Sequence, residues 1–596
     1  MAISFTAFPL IINGFTTTTT TSPAATFPSS SASSSSSPSC FRSLPRHNLR
    51  PWRPSRLGSH DSSRSALVEN RTLHEADYDP STSAAFADPS SAREMVDLLS
   101  RLETDDGRSE MESNSPWSDV VLDLDGRPLT EDFLLRHLNL PSSAASASAP
   151  LRCPAKDAFR GFMSHGCRLL LPATAATAAT ATATNNNNNT TAPRSAYYKS
   201  IHFRSLPHAL EKSLTAPFKL QRDIRSHLVV ADFLSSRARE KFERATNVRI
   251  PKCLHADVRP DDDRPLESKF GFLLEDLAPW EGWYQRWLLC EREECEAALE
   301  ALARMHAFFW AGAAFWTKEN DGEDGKELER AVWKSGSYVQ PEAQNTDTVD
   351  QCQIVADEWI RKRTRFSQYL SSFDWYDDLG RRLQSVAAEC GRLAHPFADI
   401  HHPHEDYSSS STSSSTSSSL SEQHAKYRTF THGDPKQANI FFRRHPESNE
   451  QHSLQVGLVD FQWAGFGLAA TDIAHFLTSA VHSDLLVDDG EERLLRYYHD
   501  RLQIHLVQYG AYDDASTALE QYPYPIFVEQ YEIGVLDICR LMIAYTWSRF
   551  EEPVEKGDDD DEARARTMNK TSYNKSVCTF VWLLSKCDAI MKARGV

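Results

Sequence analysis

The segment THGDPKQANIFF places an aspartate, Asp434, just ahead of an apolar run, with Asn439 five residues further on. A second apolar run, LQVGLVDF (454–461), carries Asp460 at its end, followed by Phe461 and Gln462. A loop carboxylate can orient an attacking hydroxyl and take its proton, and an Asn/Asp pair supplies hard oxygen donors for Mg2+. Phosphoryl transfer needs little more from a protein than such positioning and charge neutralisation. Lys436, two residues after Asp434, could reach a transferred phosphate. Aspartates at strand ends are often turn residues, but that reading does not account for the whole spaced set.

Two short strands joined by a turn-rich segment would bring both ends of this set to one side. The rest of the chain supplies further elements. PLTEDFLLRHL (128–138) reads as a helix capped by Thr130, GCRLLL (166–171) and SAYYKSIHF (195–203) as a hairpin, and KFGFLL (269–274) as a strand. Helical patterning is expected over 219–245, 291–311, 352–393 and most of 490–596. A mixed, strand-rich part thus precedes a helix-rich part holding one late hairpin.

Composition bounds the function. The 596 residues hold 64 Lys+Arg against 82 Asp+Glu, a net charge of −18. So acidic a surface repels phosphate backbones and argues against nucleic-acid binding. No apolar run is long enough to suggest a membrane-spanning helix. The 11 cysteines are scattered without a CxxC pair, which argues against structural zinc and a dense disulfide framework and points to a reducing compartment. Residues 1–60 lack Asp, Glu and Lys and are rich in Ser, Thr and Arg. That is the composition of an organellar transit peptide, plastid ahead of mitochondrion; a disordered tail without an address is the alternative. Biased stretches at 141–150, 173–192, 408–419 and 558–562 read as surface insertions or linkers.

HGDPKQAN followed by VDFQWAGFGLAATDIAHFL resembles the phosphotransferase motif of the aminoglycoside phosphotransferase/choline kinase superfamily. It is most similar to the CHK kinase-like and ecdysteroid kinase-like branch, where DFQ replaces the DFG of protein kinases. FGFLLEDL (270–277) resembles that branch's hinge and LARMHAFFW (302–310) the helix after it, so the resemblance runs over residues 118–590. It implies a two-lobed, protein-kinase-like α+β fold. The small lobe, of antiparallel sheet and helix, would span 118–277, and the large, mainly helical lobe 278–596, behind a disordered N-terminus at 1–90.

The resemblance also implies roles. Asp434 matches the catalytic base, Asn439 and Asp460 the Mg2+ ligands, His432 the histidine that supports the loop, and Asp472 the residue that braces it. Leu274, Glu275, Asp276 and Leu277 match the hinge that meets the adenine of ATP. Lys199 sits where the phosphate-anchoring lysine belongs, and GFMSHG (161–166), with Gly161 and Gly166, where a phosphate-covering turn belongs. The acceptor would be a hydroxyl of a small molecule. After DFQ the chain runs straight into a helix with no APE motif, so no peptide platform is expected.

One departure stands out. The helix glutamate that should hold the lysine lies three residues before an aromatic, and Val230 occupies that place before Phe233, with Asp223 and Asp232 as substitutes. Two readings follow: an active small-molecule kinase, or a catalytically weak nucleotide-binding scaffold. Elsewhere, His306 reads as a core histidine, and Trp280, Trp283 and Trp287 as packing or acceptor-lining residues. Asp537 reads as a helix brace or an attractor of a cationic substrate.

Overall fold

The computed structural model describes residues 120–140, 149–153, 158–160, 164–171, 195–206, 209–210, 212–213, 217–286, 289–317, 323–339, 353–398, 420–444, 454–549 and 577–596. The N-terminal 1–90 segment, the tracts at 173–192, 408–419 and 558–562, Gly161 and Trp287 lie outside the described residues.

Helix α1 (Glu131–His137) starts at Thr130, whose hydroxyl accepts the N–H of Phe133 at 3.3 Å, with Glu131 and Asp132 in the positively polarised first turn. Its Leu134 and Leu135 pack on a five-stranded antiparallel sheet. The strands are β1 (Ala158–Arg160), β2 (His165–Leu170), β3 (Ser195–His202), β4 (Cys253–Arg259) and β5 (Lys269–Glu275), in the order β1-β2-β3-β5-β4. Alternation along β3 decides its two faces. Ala196 and Tyr198 join Cys167, Leu169 and Leu273 under α1. Ile201 on the other face joins Phe270 and Phe272 against α2 (Pro217–Ser235), and Tyr197 and Lys199 share that face by period.

A disulfide between Cys153 and Cys167 ties the segment after α1 to β2. A single bridge among the described residues is not the dense framework that the sequence argued against, though a reducing compartment gave no reason to expect it. The scatter of the cysteines gave no sign that these two, 14 residues apart, would meet across a sheet.

The helix expected over 219–245 is two helices. Ser236 ends α2 and caps α3 (Arg237–Thr246), its hydroxyl accepting the N–H of Arg239 at 3.2 Å. The larger lobe is mainly helical: α4 (Arg292–Phe308), α5 (Glu323–Ala331), α6 (Val355–Arg365), α7 (Leu379–Ala394), α8 (Ala469–Ala480), α9 (Gly490–Gln508), α10 (Tyr524–Ala544) and α11 (Val577–Ala593). Two small sheets sit among them. One orders β6 (Trp283–Gln285), β8 (Ile440–Arg444) and β9 (Leu454–Leu458); the other pairs β7 (Arg428–Thr431) with β10 (Gly465–Leu468). The sequence reading placed no strand at β1, β4, β6, β7 or β10. Most are short, with few residues to show a period.

The lobes are stitched by backbone. Arg249, between α3 and β4, donates its N–H to Val456 at 2.9 Å and accepts that of Leu458 at 2.9 Å. The architecture is the two-lobed, protein-kinase-like α+β fold, with the late hairpin at the junction.

Candidate active site

The candidate catalytic loop is the turn between β7 and β8. Gly433 makes it possible: its φ is +80°, and a Cβ there would come within 2.2 Å of the Trp463 carbonyl oxygen. The loop hangs from Asp472 in the first turn of α8. One carboxylate oxygen accepts the His432 N–H at 2.7 Å and the other that of Gly433 at 3.0 Å. His306 Nε2 meets the same carboxylate at 3.2 Å while its Nδ1 meets the Tyr498 hydroxyl at 2.7 Å. His306 is thus a satisfied core histidine of α4. Burial works to raise the Asp472 pKa, but His306 and the loop N–H groups hold it below the usual carboxylate range.

His432 is buried, with Nε2 3.0 Å from the Val459 carbonyl and its ring 4.5 Å from that of Phe461. It connects the loop to the end of β9. Burial lowers its pKa against the pull of Asp472, so it is neutral at physiological pH.

Asp434 receives several donors. Lys436 Nζ lies 2.7 Å from Oδ2, Asn439 Nδ2 lies 3.2 Å from the same oxygen and 2.8 Å from the Asp434 carbonyl, and His475 Nε2 lies 3.2 Å from Oδ1. Burial opposes ionisation, yet Lys436 and His475 hold the pKa well below the ordinary value. The carboxylate is charged at any physiological pH.

Asp460 adopts φ +65°, a left-handed conformation that Asp tolerates better than most residues and that clusters at functional sites. Its Oδ1 receives Lys199 Nζ at 3.0 Å, across the lobes. Burial again opposes the charge, and Lys199 and then Lys436 overcome it. The structure therefore brings Asp434, Lys436, Asn439, Asp460 and Lys199 together, with His432 and Asp472 behind them. Asn439 turns its amide nitrogen to Asp434, which leaves the amide oxygen available as a metal ligand. With the Asp460 carboxylate it forms a hard-oxygen set whose chemistry suits Mg2+.

The hinge residues divide. Asp276 accepts Arg168 Nε at 2.6 Å and the Ser195 hydroxyl at 2.6 Å, closing β2 and β3 onto the hinge. Glu275 holds Arg249 at 2.8 Å. Leu277 is buried and Leu274 partly so. Gly166 lies within β2, directly opposite Lys199, and not in the turn that the sequence suggested. Its missing side chain makes room for Tyr197: a Cβ at 166 would fall 1.8 Å from that hydroxyl.

Among the described residues, neither proposed substitute replaces the helix glutamate. Val230 is buried in the core. Asp223 pairs with Lys212 at 2.5 Å and Arg222 at 2.8 Å, and Asp232 is exposed. Asp537 is buried, bonding Arg540 Nε at 2.6 Å and His395 Nε2 at 3.0 Å; it braces α10, and its charge is consumed there. Trp283 is buried under Arg443, and Trp280 is exposed beside Arg168.

Three features escaped the sequence reading. Tyr197 shares the cleft face with Lys199, and the alternation of β3 could have shown it. A strap at 333–339 extends the small sheet beside the loop: Trp333 N–H bonds Ala464 at 3.0 Å, Gly336 N–H bonds Phe466 at 2.8 Å, and Tyr338 N–H bonds Gly433 at 3.1 Å. The third is His475, one turn after Asp472; no motif spacing announced its contact with Asp434.

This fold is that of the two-lobed, kinase-like class. Residues 233–511 match the ecdysteroid kinase-like family. Among solved structures, the chain is similar to an ethanolamine kinase from Plasmodium vivax, at 10% identity over 69% of this chain and 81% of that one, TM-score 0.28. It is similar to a macrolide 2′-phosphotransferase from Brachybacterium faecium, at 10% identity over 72% and 94%, TM-score 0.27. It is also similar to an amicoumacin kinase in complex with AMP-PNP and Ca2+, at 11% identity over 70% and 89%, TM-score 0.30. No curated protein matches the sequence.

Proposed function

We propose that the protein is an ATP-dependent phosphotransferase acting on a hydroxyl of a small molecule. The observation that carries this is the convergence of Asp434, Lys436, Asn439 and Asp460 with Lys199 from the other lobe, at bond distances of 2.7–3.2 Å. Asp434 orients the acceptor hydroxyl and takes its proton as the acceptor oxygen bonds the γ-phosphorus. The bond from that phosphorus to the β,γ-bridging oxygen breaks, and ADP leaves. Lys436 follows the transferring phosphoryl, and Lys199 anchors the α- and β-phosphates. Asn439 and Asp460 would hold Mg2+, which when bound neutralises charge on the phosphates.

The second reading is a catalytically weak nucleotide-binding scaffold. It is favoured by the absence of a helix carboxylate on Lys199, whose described ion-pair partner is Asp460. Full-length protein incubated with γ-labelled ATP, Mg2+ and a deproteinised metabolite extract decides between the two. The kinase reading expects a labelled metabolite that falls roughly 10²–10⁴-fold with Asp434→Ala. No label from folded, MgATP-binding protein would favour the scaffold. We also propose plastid delivery by the N-terminal 1–60 segment; a fluorescent fusion that stays in the cytosol would rule it out.

A further inference from the structure

His475 touches the proposed base, and none of the roles above uses it. It is buried on α8, three residues after Asp472, with Nε2 3.2 Å from Asp434 Oδ1. The ring of Tyr338 backs it at 6.1 Å. The two donors on Oδ2 have other tasks in the reaction: Lys436, on a flexible stem, turns to the phosphoryl group, and Asn439 serves the metal. His475 stands on helix α8 and brings its Nε2 within 3.2 Å of Oδ1. An aspartate carboxylate is broadly free about its last torsion. Without a fixed donor it would turn when Lys436 leaves, and a misplacement of about 1 Å can cost roughly 10²-fold in rate.

We propose that His475 is a positioning residue. Its ring N–H on Oδ1 fixes the Asp434 carboxylate so that Oδ2 faces the acceptor hydroxyl. The inference rests on the phosphotransfer reading.

The two side-chain amides make the test. Glutamine carries its amide nitrogen about as far from the backbone as histidine Nε2; asparagine carries it only as far as Nδ1. Transfer from γ-labelled ATP to the metabolite extract is measured for the full-length wild type, His475→Gln, His475→Asn and His475→Phe, alongside MgATP affinity and thermal unfolding. Expected is transfer within about 3-fold of wild type for Gln and a loss of roughly 10–100-fold for Asn and Phe, with MgATP affinity unchanged in all. Wild-type rates in the Asn variant, or equal losses in Gln and Asn at matched stability and affinity, overturn the positioning role alone. Should Phe fail to fold, the Gln/Asn comparison stands by itself. A wild type that binds MgATP and labels nothing removes the phosphotransfer reading, and the inference with it.

Discussion

Lys199 and Asp460 lie 261 residues apart in the chain and 3.0 Å apart in space. One belongs to β3 of the small lobe, the other to the end of the late hairpin, so their ion pair closes the cleft at the point where phosphates and metal would sit. Each charge stands in for the other's expected ligand: the ammonium for a cation on Asp460, the carboxylate for a phosphate on Lys199.

The first prediction concerns that pair. A charge-assisted hydrogen bond to phosphate contributes about 1.5–3 kcal/mol. Lys199→Met should therefore weaken MgATP binding by roughly 10–100-fold, read by titration with a fluorescent ATP analogue. Unchanged affinity would exclude Lys199 from the nucleotide site.

Asp472 is the hanger of the loop that holds Asp434. Asp472→Ala strands two buried backbone N–H groups and removes the partner of His306, at about 1–3 kcal/mol for each unpaired group. The urea midpoint should fall by an amount equivalent to about 3–5 kcal/mol. A variant as stable as wild type would mean that the loop holds itself.

His227 makes stability depend on mild acid. It is wholly buried on α2 between the rings of Phe203 and Phe270, at 5.8 and 5.2 Å, and neither ring nitrogen finds a hydrogen-bond partner among the described residues. Burial, and next Lys199, push its pKa down from 6.5 to about 3. The unfolded chain thus binds the proton that the folded chain refuses. The corresponding stability is complete above about pH 6.5 and declines as pH falls toward about 3. The unfolding temperature of wild type should drop between pH 7 and 5, and His227→Phe should flatten that slope. Parallel slopes for the two proteins would contradict this.

The disulfide is the fourth case. Cys153–Cys167 closes a loop of 14 residues, which is worth about 3 kcal/mol on the chain-entropy account. Cys153→Ser should lower the unfolding temperature and remove its sensitivity to dithiothreitol. A wild type indifferent to reductant would show the bridge to be absent in solution.

What could be read from the sequence was local. Asp434 and Asn439 are five residues apart on one tight loop, so their meeting follows from spacing. Thr130 ahead of Glu131 starts a helix because a hydroxyl there meets a free N–H. The run 195–203 reads as a strand from its β-branched and aromatic residues. Those residues carried the resemblance and marked the loop and the hairpin.

The tertiary structure decided the remainder, because those contacts join segments whose separation no pattern records. Gly166 reads as a turn glycine by its neighbours, yet strand register puts it opposite Lys199 and under Tyr197. Asp537 on α10 could have faced a substrate; packing against α7 gave it His395 and Arg540 instead. Cys153 met Cys167, and His475 met Asp434, only once sheet and helix were docked. Spacing along a chain fixes what a turn or a helix face brings together within a few residues. Partners across a cleft depend on how whole elements pack, and here that packing assigns Lys199 its carboxylate and Asp434 its histidine.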